Sequence, residues 1–227
     1  PFKSGFGGAN DYTDVASGSL AINNAADLYL YANTIQAVLV TGADIQAWLE
    51  FAARRFNQID PTLATPQALV STFPGYNFDV MDGDGAIKYE IDVTQPLGSR
   101  IRNLTYNGTA IDPAAQFIVA TNNYRASGGG GFPGLDGSKT IYRSPDANRD
   151  VLIAYIKKAA TLAKATNGSD RSWHFTRVTT AGPVQFSSAP NLAALAAADG
   201  VPGVTQVQAD DGAGLGLARY QIDLGVQ

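Results

Sequence analysis

Cysteine is missing from all 227 residues. Its absence excludes disulfides, thiolate catalysis and Cys-type zinc sites. Histidine is nearly missing as well. His174 alone, in Trp173-His174-Phe175, cannot supply the several nitrogen ligands that a paired-metal hydrolytic centre gathers, and it reads as a structural strand residue. Charge is sparse at 16% and tilted to the acidic side, 20 residues against 16, for a net −4 and a pI near 4.9. A binder of nucleic acid polymers needs clustered lysine and arginine, so that class is not expected. A small anion remains compatible, because one local arginine can work inside an acidic protein. No apolar run approaches the roughly 20 residues of a membrane span. No signal-peptide pattern is present either, and the chain opens abruptly on Pro1-Phe2-Lys3, as a piece of something longer would.

Hydrophobic residues are plentiful at 45%, enough for a sizeable core, and the length suits one large domain or a compact pair of halves. One domain over 1–227 is expected, with 1–19 as a Gly/Ser/Asn/Asp-rich opening loop and the residues after about 160 as an extension of it. Ile45, Trp48, Leu49, Ala52 and Phe56 form one apolar stripe of a helix over 43–56, with Asp44, Glu50, Arg54 and Arg55 on its polar face. Strands are expected at 76–81, 87–93, 100–106 and 116–121, with a tight turn at Asn107-Gly108. Ser144 as N-cap and Pro145 at the first helical position predict a second long helix, its buried stripe made by Val151, Leu152, Tyr155, Ile156, Ala159 and Leu162. Further strands at 173–178, 184–187, 204–208 and 217–224, with an alanine-rich helix near 191–198, complete a mixed order. The fold class is therefore α/β (mixed α+β), a sheet covered by helices.

The segment Thr121-Asn122-Asn123-Tyr124-Arg125-Ala126-Ser127, followed by Gly128–Gly131 and Phe132, carries the most information. A β-type run, Phe117–Ala120, empties into two amides, an aromatic ring, an arginine and four glycines. Glycine lets other atoms approach the main chain, so such a loop can wall a ligand, and Tyr124 at its mouth can stack on another ring. Leu28-Tyr29-Leu30-Tyr31-Ala32-Asn33-Thr34 places a second tyrosine and an asparagine just before the strand-like Ile35–Val40. Tyr29 and Tyr31 are two residues apart in an alternating run, so one points inward, and Tyr29 is the one assigned to the core.

Together with Asn57–Pro61, Tyr76–Val80 and Arg100–Thr105, these segments resemble the C-terminal domain of exported bacterial 5'-nucleotidases, in the 2',3'-cyclic-nucleotide 2'-phosphodiesterase/3'-nucleotidase branch. The resemblance runs from about Pro1 to about Lys158 and returns faintly at Ala218–Leu224. It implies a layered α/β domain that follows a metallophosphatase domain of the same polypeptide, where divalent ions (manganese, zinc, magnesium or cobalt) would be held. It also implies a nucleotide or nucleoside ligand and a periplasmic or cell-wall-associated location. By the same resemblance Tyr31 and Tyr124 sandwich the base, with Asn33, Asn123, Gly128, Gly129 and Gly130 around it. Gly130 stands where the nucleotidase form has an aspartate, a departure that fits the cyclic-nucleotide branch. Asn123 and Arg125 either fix the loop or touch the ligand. Lys3 or Asn10 takes the place of an arginine that the family carries near the opening loop. The chain itself is expected to be without phosphatase activity. Two other readings of the residues stay open: a free-standing nucleoside-binding module, and a surface domain whose site has decayed.

Other matches fail on spacing. Asp82-Gly83-Asp84-Gly85 puts Val80 and Ile91 at the outer calcium-ligand positions, so a hairpin turn is expected there. Gly137-Ser138-Lys139-Thr140 lacks the order of a phosphate loop, Gly5-Phe6-Gly7-Gly8 follows no strand, and no nucleophile elbow occurs.

Overall fold

The computed structural model describes residues 7–71 and 78–226. Lys3, the Tyr76-Asn77 end of one motif and the start of the strand expected at 76–81 therefore lie outside the described residues. In chain order, helix α1 (Ile22–Leu28) leads to strand β1 (Thr34–Thr41) and helix α2 (Gly42–Ala52), which a 3₁₀ turn at Ala53–Arg55 closes. Then come β2 (Gln67–Ala68), β3 (Ile87–Ile91), β4 (Ile101–Tyr106), β5 (Thr109–Ala110) and β6 (Gln116–Asn122). The one-turn helix α3 (Asn123–Ala126), β7 (Thr140–Ala147), α4 (Asn148–Ala159) and the short α5 (Lys164–Asn167) follow. The chain closes with β8 (Trp173–Phe175), β9 (Val184–Ser188), α6 (Leu192–Ala198), β10 (Val204–Gln208) and β11 (Ala218–Ile222). Sheets and helices are mixed throughout, as the sequence predicts. Two compact units form: the first from Thr13–Trp48 with Ile111–Asp170, the second from Leu49–Ala110 with the residues from Arg171 onward and 7–12.

In the first unit β1 is the middle strand of three, antiparallel to β6 on one side and β7 on the other. Val38 and Val40 are buried while Leu39 between them is exposed, the two-residue alternation of a half-covered sheet. Thr41 then starts α2 with reciprocal bonds. Its hydroxyl accepts the Asp44 N–H at 3.2 Å, and the Asp44 carboxylate accepts the Thr41 N–H at 2.8 Å. The next two N–H groups, of Gly42 and Ala43, donate to the carbonyls of Ala115 and Pro113. This approach is so close that a Cβ on Gly42 would lie 2.2 Å from the Asp112 carbonyl oxygen. Ile45 and Trp48 are buried, and Phe132 meets Trp48 edge-on with centroids 6.1 Å apart.

The second long helix differs from expectation at its start and in its face. Strand β7 continues through Ser144 and Pro145 to Ala147, which pairs with Thr34, and α4 begins only at Asn148. The Ser144 hydroxyl bonds Asp146 locally instead of capping a helix. Proline is tolerated there because β7 is an edge strand and needs no donor on its open side. Val151, Tyr155 and Leu162 are exposed; Leu152, Ile153, Ile156 and Ala159 form the half-buried face.

The second unit holds two four-stranded sheets, β10-β11-β9-β2 and β5-β4-β3-β8, each with one parallel pair at an end. Alternation buries Ile87, Tyr89 and Ile91 of β3 and Ala218, Tyr220 and Ile222 of β11. Glu50, placed by periodicity on the polar face of α2, is in fact buried, at 9% exposure. Its two carboxylate oxygens accept the consecutive backbone N–H groups of Arg100 and Ile101 at 2.9 and 2.8 Å, which replaces the water it gives up. Arg100, 2% exposed, answers at the helix end by donating to the carbonyls of Ala53 and Phe56. Burial lowers the Arg100 pKa, with the Glu50 charge opposing. Asp82–Gly85 forms a turn ahead of β3, with Asp84 and Gly85 at positive φ. No strand precedes it over 78–86, so the expected hairpin is not seen among the described residues.

Candidate ligand-binding site

The first unit brings two of the sequence-selected segments together. Antiparallel pairing of β1 with β6 sets Ile35 opposite Asn122, so the chain just before β1 and the chain just after β6 leave the sheet at the same end. Tyr31 sits on the first of these stretches and Tyr124 on the second. Both rings are more than half exposed, at 58% and 54%. Tyr29 is half-buried, so the alternation in Leu28–Asn33 resolves with Tyr29 in and Tyr31 out.

Side-chain amides tie the two stretches. The Asn123 Oδ1 accepts the backbone N–H of Thr34 at 3.0 Å. The Asn122 Oδ1 caps α3 by accepting the Arg125 N–H at 2.7 Å, while its Nδ2 donates to the Tyr29 hydroxyl at 3.2 Å. Asn33 is half-buried and donates its Nδ2 to the same hydroxyl, also at 3.2 Å. Of the two roles open to Asn123 and Arg125, the geometry gives both side chains work in fixing the loop. Arg125 is buried at 7% exposure, donates to the Gly129 carbonyl, and lays its guanidinium 3.8 Å from the centre of the Phe132 ring.

The glycines are required for different reasons. Gly128 adopts φ +96° and Gly130 φ +78°, the left-handed region that other residues enter at a cost. Gly129 needs space: a Cβ there would come within 2.5 Å of the Tyr124 ring and of the Tyr124 carbonyl oxygen. The loop thus folds directly against the ring that it presents. Asn10, the other opening-loop residue selected from the sequence, is an exposed turn residue of the second unit.

Two residues that sequence reasoning did not select complete this geometry. The Arg149 guanidinium donates from Nε and Nη2 to the Tyr29 carbonyl at 3.1 and 3.0 Å, and from Nη2 to the Leu30 carbonyl at 3.2 Å. Tyr29 contributes its hydroxyl, as above. Bonds from a side chain to distant carbonyls leave no spacing signature, so only coordinates reveal them. Near the start of α2, Lys139 of the rejected phosphate-loop match pairs with Asp44 at 2.6 Å. That bond, followed by the Thr41 N–H, lowers the Asp44 pKa. Among the described residues no group of three or more His, Cys, Asp or Glu forms that could hold a metal ion. No helix there is long and apolar enough to cross a membrane.

Two exposed tyrosines thus stand on adjoining segments, and a glycine loop folds against one of the rings. The family model for the 5'-nucleotidase C-terminal domain matches residues 5–137, and the chain belongs to that family. It is 41% identical over 246 residues to a 2',3'-cyclic-nucleotide 2'-phosphodiesterase/3'-nucleotidase of Haemophilus influenzae, covering 99% of this chain and 36% of that protein. To the Salmonella typhimurium protein of the same name it is 41% identical over 249 residues, covering 99% of this chain and 37% of the relative. The trifunctional nucleotide phosphoesterase YfkN of Bacillus subtilis is 42% identical over 237 residues, with 98% and 16% covered. The chain thus spans little more than a third of the length of these relatives, or less. Similarity to them continues through the last residues, where the sequence motifs had faded. The solved 5'-nucleotidase precursor of Thermus thermophilus shares the fold, with TM-score 0.51 at 18% identity over 76% of this chain and 31% of that one.

Proposed function

We propose that this chain is the substrate-recognition part of an exported bacterial nucleotide phosphohydrolase and that it holds the base of a nucleotide between Tyr31 and Tyr124. The observation that carries this reading is the pair of exposed tyrosines on segments that leave the same end of the β1–β6 ladder, with hydrogen bonds from side-chain amides joining those segments. Faces of this kind stack on any base, each ring contributing about 1–3 kcal/mol, and so suit recognition that is tolerant of base identity. Asn33 supplies the polar group beside the rings, and Gly128–Gly130 shape the wall. Relatives named as cyclic-nucleotide phosphodiesterase/3'-nucleotidases support nucleoside 2',3'-cyclic phosphates and 3'-nucleotides as the substrate class.

This chain covers 36% and 37% of the Haemophilus and Salmonella relatives, which leaves room for a catalytic domain outside it. Divalent-ion chemistry is ascribed to a metallophosphatase domain of the same polypeptide outside this chain, with the periplasm or cell wall as its location. The reading is tested by titrating adenosine into the chain and into Tyr31→Ala and Tyr124→Ala variants. Each substitution is expected to weaken binding about tenfold or more. Equal affinity in all three proteins would sink the proposal and favour a surface domain with a decayed site. A second assay asks for phosphoester hydrolysis by the chain alone with manganese or zinc, and none is expected.

A further inference from the structure

We infer that Tyr29 and Arg149 are positioning residues for the tyrosine site, setting the segment that carries Tyr31 and Asn33 against the helix that carries Tyr124. The inference rests on the base-clamp reading above and goes beyond it to residues that need not touch the ligand.

Helix α1 ends at Leu28 and β1 begins at Thr34, so the intervening residues belong to neither ladder. Polar backbone groups in such a stretch take partners elsewhere, and those partners decide its position. Three carbonyls here are taken by two consecutive residues at the start of α4. Arg149 binds those of Tyr29 and Leu30, and the Asn148 N–H donates to that of Asn33 at 2.8 Å. The planar guanidinium reaches two successive carbonyls at once, which a single ammonium group cannot do with the same geometry.

The second half of the device is the Tyr29 hydroxyl. It receives the Nδ2 groups of Asn33 and Asn122, residues from the two segments that carry the exposed rings. Asn122 in turn caps α3 through the Arg125 N–H, and Tyr124 is the second residue of that one-turn helix. A continuous set of bonds therefore runs from Arg149 through Tyr29 and Asn122 to the helix bearing Tyr124. Both exposed rings are held through it. A stacking site depends on the separation and parallelism of its two faces, so displacement of either segment weakens binding without touching the reacting groups.

The test uses the intact polypeptide that carries this chain, with steady-state kinetics on a nucleoside 2',3'-cyclic phosphate and thermal melting of each variant. Tyr29→Phe keeps the ring and removes only the hydroxyl. It is expected to raise KM about tenfold while leaving kcat within about twofold. Arg149→Ala is expected to raise KM by a similar factor, and Arg149→Lys by less, because the lysine can still meet one carbonyl. Tyr31→Ala and Tyr124→Ala serve as reference arms. If those two raise KM but Tyr29→Phe and Arg149→Ala leave it unchanged, positioning is refuted and the clamp stands. If neither reference variant raises KM, the clamp itself fails. A lowered melting temperature with unchanged KM would assign Tyr29 and Arg149 to stability alone and overturn the inference. Should Tyr29→Phe not fold, the graded series at Arg149 decides by the same KM criterion.

Discussion

In the second unit Phe56, Phe78, Trp173 and Phe175 meet largely edge to face, with centroids between 5.0 and 6.1 Å apart. In the first unit Tyr31 and Tyr124 stand open, and Tyr124 has the Gly129 backbone and the Arg125 guanidinium beside its ring. The four-ring cluster gains from mutual contact and hidden area, so its members are fixed by packing. The tyrosines have given up that gain. Their location depends on hydrogen bonds made by other residues, chiefly Asn122, Asn123 and Arg149. One region uses aromatic rings to hold the chain together; the other uses the chain to hold rings out. The difference lies in the neighbours and not in the ring type.

The sharpest way to break this contrast is Phe175→Ala. It is expected to reduce unfolding free energy by about 3–5 kcal/mol, measured by chemical denaturation, with adenosine affinity of the folded protein little changed. Next in size is Gly129→Ala, where the new methyl group must push the Tyr124 ring or its carbonyl aside. It is expected to weaken adenosine binding by about 1–3 kcal/mol, read by calorimetry, with a smaller loss of stability. Acidification gives a third and smaller effect. The folded-state pKa of Asp44 lies below its unfolded value, so its contribution is complete above the unfolded value and is lost as pH falls through the folded one. Melting temperature followed from pH 7 downward should drop less in Asp44→Asn than in the parent. Solvent screening of this surface carboxylate limits its contribution to about 1 kcal/mol at neutral pH. Last, Tyr31→Ala should shift stability by less than about 0.5 kcal/mol while impairing binding, the mirror image of Phe175→Ala.

How far the sequence could be read follows the same division. The stripe Ile45, Trp48, Leu49, Ala52 and Phe56, and the alternation in β3 and β11, are periodic, so they announce both element and buried face; the apolar runs of β1 and β6 announce a strand but not its face. Strand β7 was hidden because Ser144-Pro145-Asp146 has the local chemistry of a helix start, and pairing with β1 outweighed it. Helix α1 was hidden too: Asn23 and Asn24 weaken any helical pattern, and the cap residue is Ala21. Glu50 looked solvated because a carboxylate on a helix usually is; two backbone donors from another segment made its burial tolerable. Tyr31, Tyr124 and the glycine loop were legible as a motif, whereas the clasp around Tyr29 joins residues far apart in the chain and has no local pattern.

The three-stranded sheet has a bearing on synthesis. Strand β1 emerges from the ribosome long before β6 and β7, and the whole stretch Leu49–Ala110 must be made in between. Until then its Ile-Gln-Ala-Val-Leu-Val run is an edge with nothing to pair with, open to mispairing with another nascent copy. A chain that stalls or is cut before residue 116 retains Tyr31 but lacks both β6, the strand that pairs with β1, and the segment that carries Tyr124.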